Sequence, residues 1–248
     1  MEELRKSYHS DLEQARSELA RLAALVVELV PRATAVLLDG DLEGAEYIIQ
    51  GDAAIDQRCV DLEEQCLRIL ALQAPVATEL RQVVALMKMI AEVERSADLI
   101  ANICKAARRI YGHELDPKLR GIISRMSEQA QQLYTATIEA FVENDDAMAA
   151  ALDDMDAYLD ALHKQFIQAI FESHAAGRID LQVAVQLAVV ARFYERIGDH
   201  AVNIAERVRF VITGWVPDHK KAPRPKIELD DMHLADDGDS AAPASGGS

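Results

Sequence analysis

Tyr194-Glu195-Arg196-Ile197-Gly198-Asp199-His200-Ala201-Val202-Asn203-Ile204 decides how this chain reads. A near copy, Val93-Glu94-Arg95-Ser96-Ala97-Asp98-Leu99-Ile100-Ala101-Asn102-Ile103, stands 101 residues earlier, with Glu, Arg, Asp, Asn and Ile at the same five offsets. On a helix, positions i, i+4 and i+8 form one slowly drifting stripe, so each copy lays Glu, Asp and Asn along a single face. Two carboxylates one turn apart repel unless something positive sits between them. A chain that does this twice, at matched places, points to a bound cation.

Outward from the two copies, the apolar spacing is helical throughout. Leu4, Tyr8, Leu12, Leu19, Leu22, Val26 and Leu29 predict a long amphipathic helix over about 3–38, kinked rather than ended at Pro31. Asp39-Gly40-Asp41 is a stop followed by a new cap. Ile48, Ile55, Leu62 and Ile69 carry a second helix to about Gln73, where Ala74-Pro75 breaks it. Thr78 is the expected cap of a third helix ending near Tyr111. Leu115–Val142, Asp145–His174 and Ile179–Trp215 then repeat the pattern, and Leu38-Asp39-Gly40-Asp41 aligns with Val142-Glu143-Asn144-Asp145 at an offset of 104. The expected fold is all-α: two tandem, pseudo-symmetric three-helix bundles at 1–112 and 113–216. Residues 217–248, rich in Pro and Asp, read as a disordered tail. Its Lys220-Lys221 and Arg224-Pro225-Lys226 are either solvated or a contact for an anionic partner.

Composition agrees. Half of the 248 residues are apolar and only 5% aromatic, which suits packed long helices. A formal charge of −16 argues against nucleic-acid binding and is compatible with binding cations. Three cysteines suit a reducing compartment better than a disulfide scaffold. Met-Glu-Glu-Leu-Arg-Lys is too charged for a signal peptide, and no apolar run is long enough to span a bilayer. A soluble, cytoplasmic protein is expected.

Acidic pairs at i, i+4 are cheap signals in a chain with 42 acidic residues; folding back gives them weight. If the second and third helices form a hairpin at Pro75, Glu94 and Asp56 both lie nineteen residues from the turn, and Asp98 and Asp52 both lie twenty-three. At ~1.5 Å per residue both pairs stand at one height, roughly 28–35 Å from the turn. In the second half, Asp160 with Glu195 and Asp156 with Asp199 share the midpoint between Gly177 and Arg178. Four carboxylates therefore meet at one level in each half. Without Lys or Arg between them such clusters take up protons, splay into water or bind a cation, and oxygen-only donors favour Mg, Mn, Ca or iron.

Several neighbours keep two readings. Arg95 and Arg196 either orient a motif carboxylate or form surface ion pairs. Cys59 and His163, three residues after Asp56 and Asp160 and equivalent at the offset of 104, are either metal donors or packed interface residues. Asn102 and Asn203 suit hydrogen bonding to a ligand better than direct ligation. The chain has no Gly-rich phosphate loop, no Gly-x-Ser-x-Gly, no Cys-x-x-Cys, no His-Glu-x-x-His and no Glu-x-x-His.

The two repeats, the Pro75-Val76-Ala77-Thr78-Glu79-Leu80-Arg81 turn and both Glu-Arg-x-x-Asp-x-x-x-Asn motifs together resemble the PhoU family of phosphate-uptake regulators, over nearly all of 4–215. The resemblance implies multinuclear metal clusters of iron, zinc, Mg or Mn on Asp52, Asp56, Glu94, Asp98, Asp156, Asp160, Glu195 and Asp199, the eight acids the hairpin count reaches. It also implies a non-enzymatic brake on the phosphate-starvation regulon, acting with the ATPase of a phosphate ABC transporter and a membrane sensor histidine kinase. A homodimer, peripheral to the membrane only through its partners, goes with that likeness. Two departures stand out: Ala97 where the second motif has Gly198, and Glu79 where the family often has Asp. Ala97 is expected to loosen the first site. The competing classes are a carboxylate-bridged metalloenzyme and a metal-free scaffold.

Overall fold

Each break in the apolar pattern is a helix end with an identifiable cause. The computed structural model describes residues 2–214, with side chains from Tyr8 onward; the expected tail lies outside the described residues. Six helices follow in order: α1 (Glu2–Asp39), α2 (Leu42–Gln73), α3 (Thr78–Arg109), α4 (Pro117–Glu143), α5 (Asp146–Ala175) and α6 (Leu181–Thr213). α1 runs through Pro31, as the continuing apolar spacing requires. It stops at Gly40, whose φ of +68° lets the chain turn into the Asp41 cap, where the carboxylate accepts from Gly44 N at 2.9 Å. Asp145 and Asp180 cap α5 and α6 in the same way.

Several boundaries shift by one or two residues: α3 ends at Arg109 and not near Tyr111, and α6 starts at Leu181 and not at Ile179, because Asp180 caps it. Thr78 does not cap α3; it is the first helical residue, and its hydroxyl accepts from Arg81 Nη2 at 3.0 Å. The cap position is Ala77, at φ +50° and without a side-chain hydrogen bond, and Ala74 across the Pro75 turn also sits at positive φ. α4 begins at Pro117 rather than Leu115, because Asp116 accepts from Lys118 N and Pro117 fits the first turn, where no donor is needed.

Packing sets the layout. α1, α3, α4 and α6 form a central group in which α1 touches α4 and α3 touches α6, while α2 packs on α1 and α3, and α5 on α4 and α6. One continuous apolar core runs through both repeats, from Tyr8 to Val208. Buried hydroxyls cross between the repeats. Tyr134 donates to Ser96 at 2.9 Å, and the Thr34 hydroxyl lies 2.6 Å from Tyr194 Oη and 2.7 Å from Ser127 Oγ. Satisfied polar groups in an apolar core fix which helix faces which, since a slipped register would leave them unpaired. These bonds join α1, α3, α4 and α6, and the outer helices α2 and α5 pack against α3 and α6, the helices that carry the repeated motif.

Candidate metal centre

On α2, Asp52 and Asp56 lie one turn apart on the side facing α3, and α3 offers Asp98. One carboxylate oxygen from each of these three lies within 4.8 Å of the others. Asp52 and Asp56 are half-buried, Asp98 is exposed, and Asp56 Oδ1 is buried with no hydrogen-bond partner. Burial, then the charges of Asp56 and Asp98, push the Asp52 carboxyl up to about 6 against the opposing pull of Lys105. Asp56 is also raised, by burial and by Asp98. Glu94 is raised by burial, then by Asp56, Glu63 and Asp98. Glu94 thus shares the field of the cluster, although its oxygens are not among the three in mutual reach. Carboxyl groups that resist ionisation for want of a counter-charge are a fitting set for a hard cation.

Lys105 departs from the sequence expectation of a cluster with no cation near it. Seven residues beyond Asp98 on α3, it lowers both Asp52 and Asp56 while its Nζ donates to Asn102 Oδ1 at 3.3 Å. Glu63, seven residues after Asp56, is a second neighbour that the sequence reasoning missed. In both cases the i+7 spacing was the available signal.

The second half is tighter at its base. Asp156 on α5 is 2% exposed, and a Cβ placed on Gly198 of α6 would meet its Oδ1 at 2.6 Å and Leu159 Cδ2 at 2.7 Å. The glycine lets α5 and α6 approach where Asp156 sits. Asp160 and Asp199 are half-buried. Glu195 takes an ion pair from Arg192 on its own helix, and His163 Nδ1 stands 4.0 Å from its Oε2. Among the described residues no second-half trio of His, Cys, Asp or Glu donors comes within 4.8 Å.

The flanking residues resolve in part. Arg95 pairs with Glu92 at 3.6 Å at the surface, and its charge also reaches Glu94; Arg196 is exposed. Asn203 does not serve its own stripe. Its Nδ2 donates across to Glu92 Oε2 of α3 at 3.0 Å, beside His200 Nδ1 at 2.6 Å. Burial alone would raise Glu92, but hydrogen bonds from His200 and Asn203, with the charges of His200 and Arg95, hold its carboxyl below the usual range. Sequence reasoning gave neither Glu92 nor His200 a role, because their partnership joins two helices 108 residues apart.

Known proteins of this shape and sequence agree on one family. The family model described as the PhoU domain matches residues 19–107 and 123–208, once in each repeat. The chain is 33% identical over 215 residues to the phosphate-specific transport system accessory protein PhoU homolog 1 of Mycobacterium tuberculosis, covering 86% of this chain and 96% of that one. Identity to the homolog 1 of Methanothermobacter thermautotrophicus is 30% over 208 residues, 84% and 92% of the two chains. Among solved structures, PhoU from Pseudomonas aeruginosa superposes with a TM-score of 0.78 at 27% identity, over 84% of this chain and all of that one. The phosphate transport system regulatory protein PhoU from Streptococcus pneumoniae gives 0.78 at 26%, over 85% and 99%. With a matched domain in each repeat and a relative 33% identical over most of both chains, the chain belongs to the PhoU family.

Proposed function

We propose that this protein is an accessory protein of phosphate transport that acts by binding rather than by catalysis and holds cations at two carboxylate centres. Asp52, Asp56, Glu94 and Asp98 form the first, and Asp156, Asp160, Glu195 and Asp199 the second. The names of the relatives support the phosphate role. The observation behind the cations is the Asp52–Asp56–Asp98 trio, with one oxygen of Asp56 buried and unpaired. Iron, zinc, Mg or Mn would supply positive charge there, tying α2 to α3 and α5 to α6. The chain's own acids do the remaining work: each pair on an outer helix faces a pair on an inner one.

In this proposal the protein is cytoplasmic. Among the described residues no helix is long and apolar enough to cross a membrane, so any membrane contact comes through partners. Those partners are the ATPase of a phosphate ABC transporter and a membrane sensor histidine kinase, engaged by a homodimer that keeps phosphate-starvation genes off when phosphate is plentiful. Deleting the gene should switch on a phosphate-starvation reporter in phosphate-rich medium; a silent reporter contradicts the regulatory role. Elemental analysis of protein purified without chelator should find more than one metal ion per chain, reduced in Glu195→Ala/Asp199→Ala.

A further inference from the structure

The α5–α6 hairpin leaves an apolar strip on its outer side. Leu181, Val185 and Val189 of α6 stand at i, i+4 and i+8, and Arg192 and Arg196 continue the same stripe. The three apolar side chains are 65%, 50% and 38% exposed. Phe171 of α5, 67% exposed, lies three turns after Asp160 on the same flank of its helix and stands level with the stripe across the Gly177 turn. Single exposed apolar residues are ordinary, but a row of them along about four turns, ~22 Å, marks an interaction surface.

The charge around the strip sets it apart. No acidic residue occurs from 161 to 171 or from 181 to 194, in a chain that has 42 of them. The matched stretches of the first repeat, 57–67 and 80–93, hold Asp61, Glu63, Glu64 and Glu92, and exposed Lys88 stands where α6 has Val189. The acids at the rim of the strip each have a partner: Glu172 pairs with Lys118, Glu195 with Arg192, and Asp180 caps α6 3.6 Å from His113. The exposed cations there are Lys164 on α5, Arg196 on α6 and Arg109 on α3, whose Nη1 donates to the neutral Gln186 Oε1 at 3.4 Å.

We propose that this strip docks an acidic amphipathic helix of a partner protein, laid along α6 with its apolar side chains against Phe171, Leu181, Val185 and Val189. The proposal rests on the reading that the protein acts by binding, and it adds where a partner sits and what chemistry it presents; bound cations are not needed for it. Apolar anchors at helical spacing would supply the affinity, and acids on the partner's flanks would face Lys164, Arg109 and Arg196. An anionic bilayer fits less well. It is flat, and would bring its charge against Asp160 and Asp199 as well, whereas a helix about 10 Å wide covers the strip alone.

The test measures fluorescence anisotropy of two synthetic helical peptides with the full chain, both with Leu at i, i+4, i+7 and i+11, one flanked by Glu and the other by Lys. The Glu peptide should bind the wild type, more tightly at low salt, and the Lys peptide should bind more weakly. Val185→Asp should weaken the Glu peptide by about tenfold or more, and Lys164→Glu/Arg109→Glu should do likewise. Lys88→Glu, at the matched place in the first repeat, should leave it unchanged. If Val185→Asp fails to fold, the charge-reversal pair decides. No binding of the Glu peptide, equal binding of the Lys peptide, or an equal loss in Lys88→Glu overturns the proposal. Two further results give the strip to another occupant and also overturn it. One is flotation of the wild type, but not Val185→Asp, with vesicles of phosphatidylcholine and phosphatidylglycerol; the other is a wild-type dimer that Val185→Asp splits in sedimentation. The phosphate role is judged separately by the deletion reporter, so its failure and the failure of this docking strip are told apart.

Discussion

At matched places in the two repeats, Asp52 stands half-buried at an open cluster while Asp156 is 2% exposed under α6. The inner helix carries Ala97 in the first repeat and Gly198 in the second, and only the glycine lets the aspartate oxygen lie where a methyl would be. Charge differs too. Lys105 moderates Asp52 and Asp56, whereas the residue at the same place in the second motif is Glu206. The side chain near the motif glutamate is a buried thiol in one half and an imidazole in the other. One carboxylate pattern has thus been set in two environments, an accessible one tuned by a lysine and a closed one shaped by a glycine.

Swapping the small residues should break this comparison most strongly. Gly198→Ala drives a methyl into Asp156 and Leu159, which have no free space to yield. Overpacking of about 1–3 kcal/mol outweighs the helix propensity of about 1 kcal/mol that alanine brings. Its urea midpoint should fall and second-centre metal should be lost. Ala97→Gly should cost about 1 kcal/mol, from helix propensity alone, and leave first-centre metal in place. Equal effects on both centres would erase the distinction.

Next in size is pH. Asp52, pushed up to about 6 from 3.8 by burial and then by Asp56 and Asp98, binds its proton better folded than unfolded. Its stabilising contribution is present in full below about 3.8 and is lost as pH rises through about 6. In chelator, the protein should therefore lose stability between pH 5 and 7, and Asp52→Asn should flatten that loss. Glu92 has the opposite sign. Its contribution is present above about 4.5 and lost as pH falls through a lower folded value, so it stays out of the window. A wild-type midpoint that does not move between pH 5 and 7 would deny the crowding at Asp52.

The smallest expected effect is from charge alone. Lys105→Gln should tighten Mn binding at the first centre by about threefold, and more at low salt, because one screened positive charge is removed. Glu206→Lys, its counterpart by repeat, should weaken the second centre by a similar factor. Isothermal titration at two salt concentrations reads both.

Much of this was legible in the residues. The repeat of Glu-Arg-x-x-Asp-x-x-x-Asn, the apolar sevens of α2 and the Asp caps at 41 and 145 each act within one helix, so local chemistry announces them. Counting back from Pro75 also brought Asp52, Asp56 and Asp98 together, because helical rise is constant. What escaped depends on contacts between helices. Glu92 meets His200 and Asn203 only because α3 packs on α6, which the count within one repeat does not address. Thr78 looked like a cap because Thr often is one, yet the Pro75 turn sets Ala77 at positive φ and starts the helix one residue too early for it.

The central claim is that each repeat holds its own cations on its own four acids. Native mass spectrometry of Mn- or zinc-loaded full-length protein tests it most directly, by counting ions on the wild type, Asp56→Ala, Asp160→Ala and the double variant. Each single variant should lose only the ions of its half, and the double variant should lose both sets. An unchanged count in the double variant would contradict the account.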